Sequence, residues 1–129
     1  MEITIKKTID REILENIFVT AIECGSTYWY DIPDSEYDKI MEETTKGKSF
    51  SERLFEAVYD KGIDVDIYDL ENPDDKLGIL SKNALQERLQ ALSESPHNWA
   101  LEREIEENGD AETSDVVFQY LVMEDIVFG

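Results

Sequence analysis

The stretch IDVDIYDLENPDDKLGIL, residues 63–80, decides the fold class because it contains the clearest signal for paired strands. Its residues Ile63, Val65 and Ile67 alternate with polar neighbours, which is the period of a strand with one buried face. The turn-forming sequence NPDD follows at 72–75, and the apolar run LGIL comes after it. The stretch therefore predicts a β-hairpin.

Helical patterns lie on both sides of this hairpin. Apolar spacing and capping residues predict helices over 10–24, 34–44, 49–62, 81–92 and 95–108, and one that starts at 113 or 114. Alternation also predicts a strand near 2–9. The short aromatic segment 27–32, which ends at Pro33, predicts a strand or an extended turn, and the apolar end at 126–128 predicts a final strand. Together the patterns predict a single α+β domain over 1–129. A small antiparallel sheet from segments near 2–9, 27–32, 63–69 and 76–80 would pack with five or six helices.

Charge dominates the composition of this chain. Its 129 residues include 31 acidic and 12 basic side chains, a net charge of −19, while 41% hydrophobic residues suffice for a packed core. Such a charge repels nucleic acids and anionic lipid, so direct binding to DNA, RNA or membrane surfaces is not expected. No apolar run approaches the roughly 18 residues that span a bilayer.

Histidine and cysteine are too scarce for most enzyme or metal sites. The chain has one of each, His97 and Cys24. A single cysteine forms no internal disulfide, which favours a reducing cytoplasm. We interpret His97 as a surface residue in the first turn of a helix and Cys24 as a partly buried residue at a helix end. No catalytic, cofactor-binding or metal-ligating residue is predicted, and we expect a protein that is not an enzyme.

The acidic residues form rows at helical spacing. Members of a row stand four residues apart, about 6 Å along a helix axis, and repel each other by roughly 0.2–0.5 kcal/mol per pair. Two interpretations stay open: a hydrated surface that keeps the protein in solution, or an acidic face that binds a partner. The residues predicted for such a face are Asp34, Asp38, Glu42, Glu52, Glu56, Asp60, Glu102, Glu106 and Asp110.

The density of this charge limits how far the protein resembles DNA. For this mass the accessible area is on the order of 7,000 Å², or roughly 370 Å² per net charge. A duplex about 20 Å wide carries one charge per roughly 110 Å² of its surface. The average density is therefore about threefold too low, and mimicry of DNA requires that folding gathers the carboxylates on one face.

The aromatic cluster Tyr28-Trp29-Tyr30 is the second candidate for a functional feature. In a strand, alternation would send Trp29 to one side and the two tyrosines to the other. Core packing is one interpretation, since aromatic residues dominate small cores. A partner-binding patch or part of a ligand pocket is the other.

Two stretches of the chain resemble a known family. TAIECGSTYWY at 20–30 resembles the pattern [TA]xxEGGSNYWY, and NGDAETSDVVFQ at 108–119 with IVFG at 126–129 resembles NxDAxTADVFxQ followed by GEIVYG. Both patterns belong to small proteins, mostly of unassigned function, from phage and prophage genomes. Cys24, Thr27 and Glu124–Asp125 depart from them. The resemblance implies a mobile-element setting, in which small acidic proteins often occupy a host protein's nucleic-acid site, and it supplies no reaction.

Three functions are compatible with these observations. The first is a phage-type interaction protein in the host cytoplasm whose acidic face blocks a basic, nucleic-acid-binding defence or regulatory protein. The second is a small-ligand-binding protein in which Tyr28–Tyr30 and the 108–115 loop form a pocket. The third is a hydrolase that uses carboxylates, which requires a cleft lined by acids.

Overall fold

The computed structural model describes residues 1–3 and 6–129. Within them the chain forms six α-helices and a three-stranded antiparallel sheet, which confirms the α+β class. The elements are α1 Arg11–Thr20 with a π-helical turn Ala21–Gly25, β1 Tyr30–Asp31, α2 Asp34–Glu43, α3 Phe50–Phe55 with a π-helical turn Glu56–Asp60, β2 Val65–Asp69, β3 Lys76–Leu80, α4 Lys82–Ser93, α5 Asn98–Ile105 and α6 Ala111–Met123.

The predicted hairpin is present as β2 and β3, and β2 is the central strand of the sheet, whose order is β1-β2-β3. Val65 lies opposite Leu80, and the register shifts after Ile67. The strand predicted at 27–32 is shortened to two residues, because a turn precedes it in which the N–H of Trp29 donates to the carbonyl oxygen of Ser26 at 3.2 Å.

The other two predicted strands are not seen. The one near 2–9 includes residues 4 and 5, which lie outside the described residues, and its described residues have no strand structure. The one at 126–128 is wrong, because the N–H groups of Val127 and Phe128 donate to a side chain, that of Gln119, and not to a neighbouring strand. The sheet therefore has three strands where four were expected.

Side-chain caps set the starts of α1, α3 and α6. Asp10 accepts the N–H of Ile13 at 2.9 Å, and Ser49 and Glu52 form a capping box at the start of α3, within the helix predicted over 49–62. A second capping box, on Asp110, starts α6 at Ala111, two residues before the earlier predicted start. Helix α5 begins later than predicted, because the side chain of Ser95 accepts the N–H of His97 in a turn.

Helix α6 is the central element of the core. Every residue from Thr113 to Val122 is buried, and the helix packs against α1 and its π-helical turn, α4, α5 and β3. A Cβ at Gly78 of β3 would overlap the carbonyl oxygen of Val122, so the sheet approaches α6 at backbone distance. No helix in the described part of the chain is long and apolar enough to cross a membrane.

Candidate functional site

Asp115 is a buried carboxylate at the middle of the molecule. Its Oδ1 accepts hydrogen bonds from Ser26 Oγ and Trp29 Nε1, both at 2.8 Å. Its Oδ2 accepts from the Tyr28 hydroxyl at 2.6 Å and from Gln119 Nε2 at 3.2 Å. Four donors satisfy this carboxylate, so its role is to join the turn before β1 to α6.

Gln119 extends this network to the end of the chain. Its Oε1 accepts the N–H groups of Val127 and Phe128, both at 2.9 Å, and its Nε2 also donates to the Phe128 carbonyl at 3.2 Å. The Phe128 ring stacks on Trp29 with centroids 5.4 Å apart. We call residues 124–129 the C-terminal strap. The two stretches that carry the resemblance, 20–30 and 108–119 with 126–129, therefore meet at one place, through structural contacts.

The aromatic cluster is divided between core and surface. Trp29 is 1% exposed and Tyr28 is 46% exposed. The predicted alternation is wrong, because both side chains reach Asp115 from a turn and not from a strand. Burial, followed by the hydrogen bond to Asp115, raises the pKa of Tyr28 to about 12. Burial also raises the pKa of Tyr30, whose hydroxyl donates to the Ile22 carbonyl at 2.7 Å.

A cleft of about 290 Å³ lies between α1 and the segment that joins α5 to α6. We call it the acidic cleft. One wall consists of Ile13, Asn16 and Thr20, and the other includes Glu104, Glu107 and Asp110. Residues 109, 110 and 114 thus contribute to a cleft, as the ligand hypothesis expected. A loop over 108–115 is wrong beyond Asp110, because α6 begins at Ala111. Tyr28–Tyr30 do not line the cleft, because their side chains are bound at Asp115 and Ile22.

Glu104 is the buried carboxylate of this cleft, with 8% of its surface exposed. Its Oε1 accepts hydrogen bonds from Thr113 Oγ1 at 2.7 Å and Ser114 Oγ at 2.8 Å. A Cβ at Gly109 would overlap the Glu104 carboxyl, so a larger residue there would require the Glu104 side chain to move. Beside it the backbone N–H of Thr113 donates to Asp110 and lowers the pKa of that carboxyl.

The row predicted from Glu52 to Asp60 is not a free acidic surface. Glu56 is buried, and its carboxylate accepts hydrogen bonds from the hydroxyl and N–H of Thr45, which lower its pKa. Glu52 belongs to the capping box of α3, where the hydroxyl of Ser49 lowers its pKa. Asp60 pairs with Arg11. The helix changes to a π-helical turn at Glu56, so helical spacing does not hold through this row.

The row on α2 and the row on α5 are exposed. Asp34, Asp38 and Glu42 lie on the solvent side of α2. Helix α2 packs on α3, and α5 packs on α1, which in turn contacts α3. Helices α3 and α1 therefore lie between the row on α2 and the row on α5.

At the end of α5 the structure brings further carboxylates beside the predicted ones. We call this group the acidic edge, and its members are Glu102, Glu106, Glu107, Asp110 and Glu112, all exposed. In the described part of the chain no Lys or Arg nitrogen lies within 4.0 Å of these five carboxylates. The guanidinium of Arg103, from the same helix, lies over the Trp99 ring at 5.1 Å. The edge is therefore anionic and open to solvent.

Two arginines, Arg53 and Arg88, donate hydrogen bonds to oxygen atoms of the fold away from the acidic edge. Arg53 is buried and donates to Thr44 Oγ1 and to the Met41 carbonyl. Arg88 donates to the carbonyls of Leu121 and Val122 at the end of α6. The cations that could neutralise carboxylates are thus partly used to satisfy backbone oxygens.

Cys24 and His97 lie apart from the acidic cleft and do not line it. Cys24 is exposed, where partial burial was expected, because it lies at the outer end of the π-helical turn. His97 precedes α5, and its ring lies 6.2 Å from that of Tyr120. Among the residues that the structure describes, no group of three or more His, Cys, Asp or Glu is arranged to hold a metal ion.

Comparisons with protein-family models, curated proteins and solved structures find no match to this chain. The resemblance of its two ends to a phage family therefore stays a prediction. The site must be interpreted from its own chemistry, and that chemistry consists of one exposed acidic edge and the acidic cleft that adjoins it.

Proposed function

We propose that this chain is a non-enzymatic, phage-type interaction protein that binds a basic protein through its acidic edge. The partner would be a nucleic-acid-binding defence or regulatory protein of the host, whose cationic site the edge would occupy. One observation carries the proposal: five exposed carboxylates stand within residues 102–112, with no ion pair to a described Lys or Arg.

Glu102, Glu106 and Glu107 have unfavourable positions in the isolated protein, whereas Asp110 and Glu112 lie at the N-terminus of α6, where carboxylates are favoured. Glu102 and Glu106 repel each other across one helical turn. Glu106 and Glu107 follow the last residue of α5, where the helix dipole favours cations and disfavours anions. A cationic partner would relieve both effects. This contribution would accelerate association and would weaken as salt screens the charges.

The proposal concerns a local surface and not the whole molecule. The accessible area of 7499 Å² divided among 19 net charges is about 390 Å² per charge, against roughly 110 Å² for duplex DNA. Glu56, Glu104 and Asp115 are also buried and add nothing to the surface. Mimicry of nucleic acid would therefore be confined to the acidic edge, with its carboxylates in the place of successive phosphates.

The acidic cleft favours a second candidate, a protein that binds a small cationic ligand. A thermal-shift screen would reveal such a ligand, because a molecule that binds only the folded state raises Tm. A carboxylate hydrolase requires a cleft lined by acidic residues, and the acidic cleft has such a lining. However, the lowered pKa of Asp110 is opposite to what a general acid needs, so we favour binding over catalysis.

A pull-down with defined prey tests the proposal. The immobilised protein is offered the fraction of a bacterial lysate that binds a DNA column, at 50 and at 300 mM salt, with and without competing duplex DNA. We expect capture of basic proteins at the lower salt only, and loss of capture when DNA is added. The variant E102Q/E106Q/E112Q should lose the capture, since it removes three charges of the acidic edge.

The matched control is D34N/D38N/E42Q, which removes three exposed charges from α2 and should retain the capture. Equal loss in both variants would mean that only total charge matters, and the proposal would then be wrong. Capture of neutral proteins, or binding indifferent to salt, would also contradict it.

A further inference from the structure

We propose that Asn108 and Gly109 form a site of spontaneous covalent modification, at which the asparagine side chain is converted to a carboxylate through a cyclic succinimide. Asparagine is one of the thermolabile residues of proteins. Of the five asparagines in the chain, Asn108 alone precedes a glycine. Because glycine has no Cβ, its backbone nitrogen is open to the preceding side chain. The proposal concerns the chemistry of this segment and does not depend on the proposed function.

The reaction needs only these two residues and water. The backbone nitrogen of Gly109 attacks the side-chain carbonyl carbon of Asn108, so that a new C–N bond forms and the bond from Cγ to Nδ2 breaks. The Gly109 N–H proton passes to solvent, and Nδ2 takes up a proton and leaves as ammonia. Water then opens the five-membered ring at either of its two carbonyls. One product is aspartate and the other is isoaspartate, and nothing is oxidised or reduced.

The structure leaves the reacting groups accessible. Asn108 and Gly109 are exposed and lie outside any helix or strand, between α5 and α6. On either side the backbone is held, because the N–H of Asn108 donates to the Arg103 carbonyl at 2.9 Å and the N–H of Asp110 donates to Thr113 Oγ1 at 2.8 Å. The Gly109 N–H between them donates to none of the described residues. This nitrogen can therefore turn towards Cγ without breaking a hydrogen bond.

The other four asparagines lack this combination of features. Asn72 precedes Pro73, whose ring nitrogen carries no proton to lose. Asn16, Asn83 and Asn98 belong to α1, α4 and α5, and a residue with a Cβ follows each of them. The helical conformation keeps the next backbone nitrogen turned away from the side-chain carbonyl carbon. Modification should therefore be confined to position 108.

The two products would change the region between α5 and α6 in different ways. A carboxylate at 108 would stand between Glu107 and Asp110, so either product adds one charge to the acidic edge. In isoaspartate the main chain also runs through Cβ and gains one carbon atom. This atom would be inserted between the hydrogen bond that follows α5 and the capping box that starts α6.

Peptide mapping of the full chain tests the proposal. The folded protein is kept at 37 °C and pH 8 for increasing times and then digested with trypsin, and a sample without incubation corrects for modification during digestion. No Lys or Arg follows Arg103, so Asn108 lies in the peptide 104–129, and each of the other asparagines lies in a different tryptic peptide. We expect the 104–129 peptide to gain about 1 Da with time, because an NH2 group is replaced by OH.

The modified peptide should also separate into two chromatographic forms. A methyltransferase specific for isoaspartate, supplied with labelled S-adenosylmethionine, should label one form and not the other. The variant N108Q is the matched control, since its longer side chain would have to close a six-membered ring, and its peptide should keep its mass over the same period. A gain in N108Q as well would assign the change to Gln119, which lies in the same peptide, and the proposal would be wrong.

The peptides that contain Asn83 and Asn98 are internal controls and should keep their masses. Equal gains at Asn98 and Asn108 would overturn the proposal, because the glycine and the open segment would then have no effect. An unchanged 104–129 peptide would overturn it too. So would a gain that appears only in urea, since the folded chain would then hold the reacting atoms apart. None of these measurements involves a partner protein, so they stand apart from the test of the proposed function.

Discussion

Asp115 and Glu112 lie one turn apart on α6 and have opposite environments. Asp115 is buried and accepts four hydrogen bonds. Glu112 is exposed and has no described Lys or Arg within ion-pair distance. The same contrast separates the network around Asp115 from the acidic edge. The net charge of −19 therefore combines carboxylates that hold the fold together with exposed ones, and within the acidic edge Asp110 also supports the fold as the N-cap of α6.

The two groups should respond differently to mutation. A hydrogen bond to a buried charged group stabilises by about 1.5–3 kcal/mol, and removal of the acceptor leaves its donors buried without a partner. An exposed pair of like charges one helical turn apart destabilises by a few tenths of a kcal/mol. A small effect of substitution in the network around Asp115, or a large loss of stability from substitution in the acidic edge, would contradict this contrast.

The largest expected effect is that of D115A. Loss of the carboxylate leaves the Ser26 hydroxyl and the Trp29 indole N–H without their acceptor, so the free energy of unfolding should fall by about 3–5 kcal/mol. Urea denaturation measures this change. The control E112Q should remain within about 0.5 kcal/mol of the parent protein. Similar losses in both variants would show that the buried network has no special role.

Next in size is the effect of F128A in the C-terminal strap. The substitution removes the ring that stacks on Trp29, and we expect a loss of about 2 kcal/mol, less than for a fully buried phenylalanine. Urea denaturation again gives the change. V127A is the neighbouring control, since Val127 is 57% exposed and should contribute little. If F128A and the parent protein had the same free energy of unfolding, the strap would not stabilise the fold through this ring.

A smaller effect is expected from alkaline pH. The pKa of Tyr28 is raised from 10.0 to about 12 in the folded protein, so folding favours the protonated hydroxyl. Its contribution to stability is present below pH 10 and decreases as the pH rises towards 12. Urea midpoints at pH 9, 10 and 11 measure this slope. In the variant Y28F, stability should decrease less steeply with pH, and Tyr30, whose pKa is also raised, should account for the decrease that is left. Equal decreases in Y28F and in the parent protein would show that Tyr28 is not the responsible group.

The smallest effect on stability is expected at the acidic edge. E102Q/E106Q/E112Q should have an unchanged or slightly higher free energy of unfolding, by a few tenths of a kcal/mol, because repulsion decreases. The parent protein should gain more stability than the variant between 20 and 300 mM salt. Denaturation at both salt concentrations provides the measurement. A loss above about 1 kcal/mol would mean that these carboxylates support the fold.

Local signals explain which elements could be predicted from sequence. The hairpin, the Asp10 and Ser49 caps and the six helices follow from alternation, turn residues and capping chemistry, all of which act over a few residues. The strand at 27–32 and the burial of Glu56 could not be predicted in the same way. They depend on a turn at Ser26 and on Thr45, a partner far from Glu56 in the chain.

The candidate site was only partly predictable. Glu102, Glu106 and Asp110 were expected on an acidic face and are exposed near the acidic cleft, but Glu104 and Glu107 were not singled out. Asp115 and Gln119 interrupt an otherwise apolar run on α6, and this spacing of four was a usable signal for a buried polar pair. Their partners at 26–29 and 127–128 are distant in sequence, so only the folded chain reveals them.

The placement of the two indole side chains gives the protein a pair of natural optical probes. Trp29 lies between the strap and Asp115, and Trp99 lies under Arg103 on the helix that carries Glu102. With one of them replaced by phenylalanine, the emission spectrum would report on the other neighbourhood alone. The variant that keeps Trp29 would then report release of the strap, and the variant that keeps Trp99 would report the arrival of a cationic macromolecule at α5.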